Sequence, residues 1–370
     1  MLIALLVLAL ISTGVVVGFI WWRNTQQHQV RDYAGSGDTE VVVRIQSGDG
    51  LTAIAEMLAG AGVVASAQAF IDTATPDADV AALHQGFYKV RQHSSASAAA
   101  NQLVDETNHV GQLRLIPGRQ LADVAGGNAV TSGYLTGIVK AACVPLNGAT
   151  RCSTVQQLQE AARTVPAVEL GVVDWALTAV DKAPEADKRL EGLILPGDYD
   201  VQPGADAKTL LRSVISASAA RWNASDIISK AADEHLTPYQ VATIASVVER
   251  EGITGDMPKV ARVILNRLAK KVPWQMDSTV NYALNRAQIA TSDADRHNKS
   301  PYNTYLVAGM PPTPISAPGP DAIDAALEPA TGRWLFFVKV DKTGRSCFSN
   351  TEAEHHVCVE KARAAGVFDG

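Results

Sequence analysis

The sequence predicts an α+β protein in three parts: an N-terminal transmembrane helix, a small β-α-α-β unit, and a larger α+β domain. Three observations carry this. Residues 2–22, LIALLVLALISTGVVVGFIWW, contain no charge and are long enough to cross a bilayer as a helix. Residues 41–90 pass from a β-branched run through two helical patterns to a second strand-like run. Beyond Leu113, strand-like runs (LRLIPG, WLFFV) stand among strongly capped helical stretches. The expected divisions are a transmembrane helix at 1–22, a linker at 23–40, the small unit at 41–112 and the larger domain at 113–370, whose distinctive stretches crowd into 190–370.

The apolar segment reads as an anchor. Trp21 and Trp22 suit a membrane interface and Arg23 begins the polar chain. A cleaved leader would carry a basic start and a small-x-small exit, and neither is present. The formal charge is −6 with pI ≈ 5.8, and no dense Lys/Arg run offers a nucleic acid its phosphate contacts. There is no His-Glu-x-x-His, Cys-x-x-Cys or glycine-rich phosphate loop, so neither a metal nor a cofactor is expected. The four cysteines form two near couples, Cys143 with Cys152 and Cys347 with Cys358. Each could close a loop of about ten residues; four separate buried thiols is the alternative. Behind a membrane span, the couples favour an oxidising exterior, with the bulk of the chain on the extracytoplasmic side of the cell membrane.

Residues 23–40 are polar with Gly and Ser, as a juxtamembrane linker would be. VVVRI (41–45) is a strand. SGDG turns into LTAIAEMLAGAG, where Leu51, Ile54, Ala55 and Leu58 repeat at helical spacing, and Gly60 and Gly62 end the helix. Ser66 starts a second helix, GFYKV (86–90) returns as a strand, and serine caps a further helix in SSASAAANQLV (94–104). With SGDGLTAIAEML after its first strand, the unit resembles a LysM domain, a module that binds N-acetylglucosamine polymers. LRLIPG (113–118) is a strand. The Ala- and Gly-rich chain up to about Lys188 has little periodicity.

Thr237 at an N-cap and Pro238 at the first helical position signal a helix through TPYQVATIASVVEREG. Val241, Ile244, Ala245 and Val248 form its buried stripe. At about 100° per residue, Glu249 and Glu251 flank that stripe on opposite sides and Arg250 points away. One glutamate alone can face a given cleft, and the helical wheel does not say which.

LEGLILPGDY, TIASVVEREG, VARVILNRL, PWQMDSTVNYAL, YNTYLVAGMPPTPISAPG and CFSNTEAEH occur in this order. Together they resemble the membrane-anchored endolytic murein transglycosylases, the MltG or YceG-like family, over residues 41–370 and most densely from 190 on. The resemblance implies cleavage of the β-1,4 bond between N-acetylmuramic acid and N-acetylglucosamine in nascent peptidoglycan strands, leaving 1,6-anhydro ends. It also implies that Glu251, the second glutamate of Glu-x-Glu, is the general acid and then the base, with Glu249 in support. The partners it implies are peptidoglycan strands and, beside them, peptidoglycan synthases. Gln275, Asp277, Ser278 and Thr279, read as a short loop, and Tyr302, Asn303, Thr304 and Tyr305 offer the hydrogen-bonding groups and aromatic faces a sugar cleft uses. Glu191 and Asn266 are read as supporting residues, and His355, after FSNTEAE, as a structural histidine, with contact to the site as the alternative. PPTPISAPGP reads as a rigid connection before a helix at 321–330, and WLFFV (334–338) as a buried strand.

Relatives often carry LQSDPTV where this chain has WQMDSTV, so Met276 and Ser278 alter that stretch while Gln275 and Asp277 stay. A histidine usual just before the x-F of the last strand is replaced by Ser346. Two alternatives remain. A hydrolytic muramidase would need a second carboxylate, which Asp277 or Asp256 could supply. A cell-wall-binding scaffold would keep the fold without turnover, and would have no need of an acid at Glu251.

Overall fold

The computed structural model describes residues 31–126, 129–286 and 291–367. The apolar segment 2–22 lies outside them, and no helix among the described residues is long and apolar enough to cross a membrane. The chain forms two compact units, one reaching to Val110 and including Leu146–Ala149, the other comprising Gly111–Pro145 and everything from Thr150 on.

In the first unit, β1 (Glu40–Ile45) pairs antiparallel with β2 (Gly86–Arg91), Val43 opposite Tyr88. The short β3 (His109–Val110) adds to the other edge of β2. Between the strands run α1 (Leu51–Gly60) and α2 (Ala67–Ala74), and α3 (Ala96–Val104) follows β2. Ser66 Oγ accepts from Ala69 N and Ser95 Oγ from Ala98 N, each at 3.2 Å, so both serine caps are where the sequence puts them. Ile54, Leu58, Phe70 and Leu103 close over Val43, Ile45 and Val90 of the sheet. The unit is fuller than β-α-α-β: a helical turn at Ala78–Ala81 and the third strand are added. The described end of the expected linker is not free chain. Asp38 N donates to Gln92 O at 3.0 Å, and Asp32 Oδ1 accepts from Ala96 N at 2.9 Å.

The second unit opens on β4 (Gln112–Leu115), which pairs antiparallel with β5 (Gly197–Asp200). Three helices that lacked an obvious period fill the interval: α4 (Tyr134–Ala142), α5 (Val155–Thr164) and α6 (Asp174–Asp181). Their Ile138, Leu158 and Ala176 share one core with Leu113, Leu170, Val201 and Val214. A disulfide joins Cys143 to Cys152 across the turn between α4 and α5.

Next come α7 (Ala207–Ala224), α8 (Ile227–Asp233), α9 (Pro238–Glu251), α10 (Met257–Ala269), α11 (Asp277–Ala283) and α12 (Pro320–Leu327). A hairpin of β6 (Phe336–Lys339) and β7 (Ser346–Ser349) follows, then α13 (Glu352–Ala364). A second disulfide ties Cys347 of β7 to Cys358 of α13.

Helix α9 is the axis of this half. It packs against α12, α10, α8 and α11, and every residue from Val241 to Val248 is buried. Each large apolar side chain so enclosed contributes about 2 kcal/mol, which fixes the helix as a rigid post. The proline-rich run is more than a connection: Ile315 N donates to Ser246 Oγ and Ser316 Oγ to Ser246 O, both at 3.0 Å. It lies as a buried strap across α9. The strand expected at 334–338 begins instead at Phe336 and is only half-buried, because one side of it lines an open cleft.

Candidate active site

The post is set at its start and its end. A reciprocal capping box holds the start: Thr237 Oγ1 accepts from Gln240 N at 3.2 Å while Gln240 Oε1 accepts from Thr237 N at 2.8 Å. At the other end the two glutamates diverge, as the helical wheel requires. Glu249 Oε2 accepts from Gly319 N at 2.9 Å, at the N-cap of α12, where a carboxyl group suits the positive helix end. It ties the end of α9 to the start of α12. Arg250 points outward and donates to Gly118 O at 3.1 Å.

Glu251 faces a cleft of about 850 Å³. Trp274, Met276 and Val263 give the cleft an apolar floor, Gln275, Asp277, Arg296 and Tyr305 line one side, and β6 and the first turns of α13 line the other. Glu251 Oε1 accepts from Ser278 N at 3.1 Å. Burial is the largest influence on this carboxyl and raises its pKa; the nearby Asp277 charge adds to the rise, while Ser278 and Lys339 oppose it. The group therefore holds its proton to higher pH than a free glutamate.

Asp277 is engaged chiefly through one oxygen. Its Oδ1 accepts from Thr291 Oγ1 and Tyr305 OH, both at 2.6 Å, and lies 3.4 Å from Arg296 Nη2. Gln275 has a left-handed φ of 56°, held by its amide donating to Thr304 O at 2.9 Å, and its Oε1 accepts from Arg267 Nη1 at 2.9 Å. Arg267 also donates to Leu335 O, Pro273 O and Trp274 O at 2.5, 2.8 and 3.0 Å, and its guanidinium lies over the Phe336 ring. One buried side chain thus joins the floor of the cleft to its far wall. The wall it reaches lies 68 residues away along the chain, and no local pattern announces it.

Several expectations change in detail. Asp277, Ser278 and Thr279 are not in a loop but in the first turn of α11. Their Asp-Ser-Thr composition suits turns, and no side chain caps that helix start. Of the eight residues expected to touch substrate, Gln275, Asp277 and Tyr305 line the cleft, and Ser278 touches Glu251. Thr279, Tyr302, Asn303 and Thr304 are buried behind it. Asn303 Nδ2 donates to Arg296 O at 2.9 Å and Asn298 O at 2.7 Å. Thr304 Oγ1 accepts from Met276 N at 3.1 Å and meets Thr279 Oγ1 at 2.8 Å. Tyr302 OH bonds Thr313 Oγ1 at 3.0 Å. These four shape the cleft from within.

The remaining candidates also brace. Glu191 is buried, accepts from Leu121 N at 3.1 Å and from Tyr282 OH at 3.3 Å, and burial pushes its pKa up to about 7. Asn266 Nδ2 donates to Gly332 O and Trp334 O at 3.2 and 2.9 Å. Asp256 accepts from Ser346 N at 2.7 Å, anchoring the hairpin. Gly252 has an ordinary extended φ of −111°, so no left-handed cap requires it. A Cβ there would stand 3.3 Å from Val260. His355, read as structural, lines the cleft.

A desolvated carboxyl at the end of a rigid helix, open to a cleft of mixed aromatic and polar lining, has the chemistry for acid–base work on a large polar ligand. The comparisons then place the chain: a model of the YceG-like family matches residues 43–361, and the protein belongs to that family. It is 29% identical over 327 residues to the "Endolytic murein transglycosylase" of Bacillus subtilis (strain 168), covering 87% of this chain and 85% of that protein. The protein of the same name from Streptococcus pneumoniae serotype 2 (strain D39) is 31% identical over 173 residues, 45% of this chain and 31% of that one. In fold the chain is similar to a crystallised yceG-like protein from Listeria monocytogenes, with a TM-score of 0.56 at 23% identity, covering 86% of this chain and 98% of that one.

Proposed function

We propose that this protein is an endolytic peptidoglycan lytic transglycosylase, cutting the MurNAc-β-1,4-GlcNAc bond of nascent strands and leaving 1,6-anhydro-MurNAc ends. The observation that carries the reading is the pairing of one desolvated carboxyl, Glu251, with a neighbour, Asp277, whose Oδ1 already accepts from Tyr305 and Thr291 and faces Arg296. Protonated Glu251 gives its proton to the glycosidic oxygen as that bond breaks. It then takes the proton of the muramyl C6 hydroxyl, which attacks C1 and closes the anhydro ring. One residue in two protonation states serves both steps. The internal hydroxyl replaces the water that a two-carboxylate hydrolase must activate.

In this reading the apolar segment 2–22 anchors the chain, and the bulk of it lies outside the cytoplasm near peptidoglycan synthases. The two disulfides support an oxidising compartment. The LysM-like unit adds glycan contact.

Two variants test the reading. Glu251→Gln should abolish strand shortening. Asp277→Asn should slow it by about ten- to a hundredfold, the scale of a lost charged hydrogen-bond partner in a binding wall. Equal abolition by both would instead make Asp277 the second carboxylate of a muramidase.

A further inference from the structure

His355 occupies the first turn of α13, across the cleft from the Gln275–Asp277 side. Its ring stacks on Phe336 of β6, with centroids 5.2 Å apart and planes 21° from parallel. Nδ1 is sealed from water and has no hydrogen-bond partner among the described residues, leaving Nε2 as the nitrogen open to the cleft. Placing the proton on Nδ1 would bury an N–H with no acceptor, a cost native structures rarely carry. The tautomer that avoids this carries the proton on Nε2, which then offers a donor to the cleft.

The charged groups facing the ring decide what it can receive. Burial first, then Arg267 from α10 and His356 beside it, hold the imidazole's pKa below its usual value; Glu352, one turn back, pulls weakly the other way. The ring is therefore a neutral donor. A neutral N–H donor pairs with a neutral acceptor without taking up a proton. Phe336 stacks on the ring and Val359, one turn further along α13, lines the same cleft, so the best match is an acceptor oxygen carried next to a methyl group.

We propose that His355 binds the glycan by donating from Nε2 to the carbonyl oxygen of an acetamido group, whose methyl rests on the Phe336–Val359 surface. This rests on the glycan-cleaving reading above and adds a specificity-determining residue to it.

The test compares full-length wild type, His355→Leu and His355→Gln on N-acetylated glycan strands and on the same strands after de-N-acetylation. On acetylated strands His355→Leu should lose about tenfold in kcat/KM, chiefly through KM, as befits one neutral hydrogen bond and its apolar seat. His355→Gln, which keeps a donor, should recover most of that loss. On de-N-acetylated strands wild type and His355→Leu should be equal. The ratio between substrates is taken within each variant, so a loss of folded protein cancels. The same proportional loss on both substrates would overturn the proposal, as would a glutamine variant no better than leucine. Should wild type cut neither strand, the glycan-cleaving reading fails, and binding of chito-oligosaccharide and its de-N-acetylated form decides the inference separately. A preference for the acetylated form that His355→Leu abolishes upholds it; an unchanged preference overturns it.

Discussion

At Glu251 the burial that penalises a carboxylate is also what keeps a proton available for donation. The acid step needs the protonated form, so the rate should fall as pH rises through the raised pKa. Lys339 is one of the influences holding that pKa down; Lys339→Met should therefore move the alkaline limb to higher pH. A limb that stays put, or a rate that climbs with pH, would contradict Glu251 as the acid. Glu191 gives a stability counterpart. Its folded pKa of about 7 stands above the ordinary glutamate value of 4.5. The native state then binds more protons between these values. Stability from this group is full below pH 4.5, is lost as pH rises toward 7, and is level above it, for a total of about 3 kcal/mol. Urea midpoints across that window should fall less steeply for Glu191→Gln than for wild type. Identical slopes would place the titration elsewhere.

Among the elements, the legible ones announce themselves locally. Thr237 and Ser66 cap the helices they were expected to cap, and Ser95 is the serine that caps the helix in 94–104, because capping is settled within four residues. Helix α11 was missed because Asp277, Ser278 and Thr279 favour turns and its start lacks a side-chain cap. The far wall of the cleft was missed for another reason. Phe336, Lys339 and His355 reach Glu251's cleft from 85 or more residues downstream, and their alignment depends on Arg267, Asp256 and the Cys347–Cys358 bond. That bond closes a loop with a sequence separation of 11, worth about 3 kcal/mol on chain-entropy grounds. Replacing both cysteines with serine should lower thermal stability by about that much and raise KM, since α13 carries one side of the cleft. Unchanged melting and KM would show that the wall stands without it.

Over the whole molecule, each unit has its own core, and the site is assembled within the larger one. The α+β class and the choice between two glutamates' faces could be framed from sequence periodicity; which face looked into a cleft depended on α12 receiving Glu249 and α11 receiving Glu251. The central claim is that bond cleavage at this site uses an internal hydroxyl and no water. Mass spectrometry of strands cut by the full-length protein in ¹⁸O-water tests it most directly. Ends one water lighter than a reducing terminus and free of ¹⁸O, absent with Glu251→Gln, are the predicted result. Reducing ends carrying ¹⁸O would contradict it.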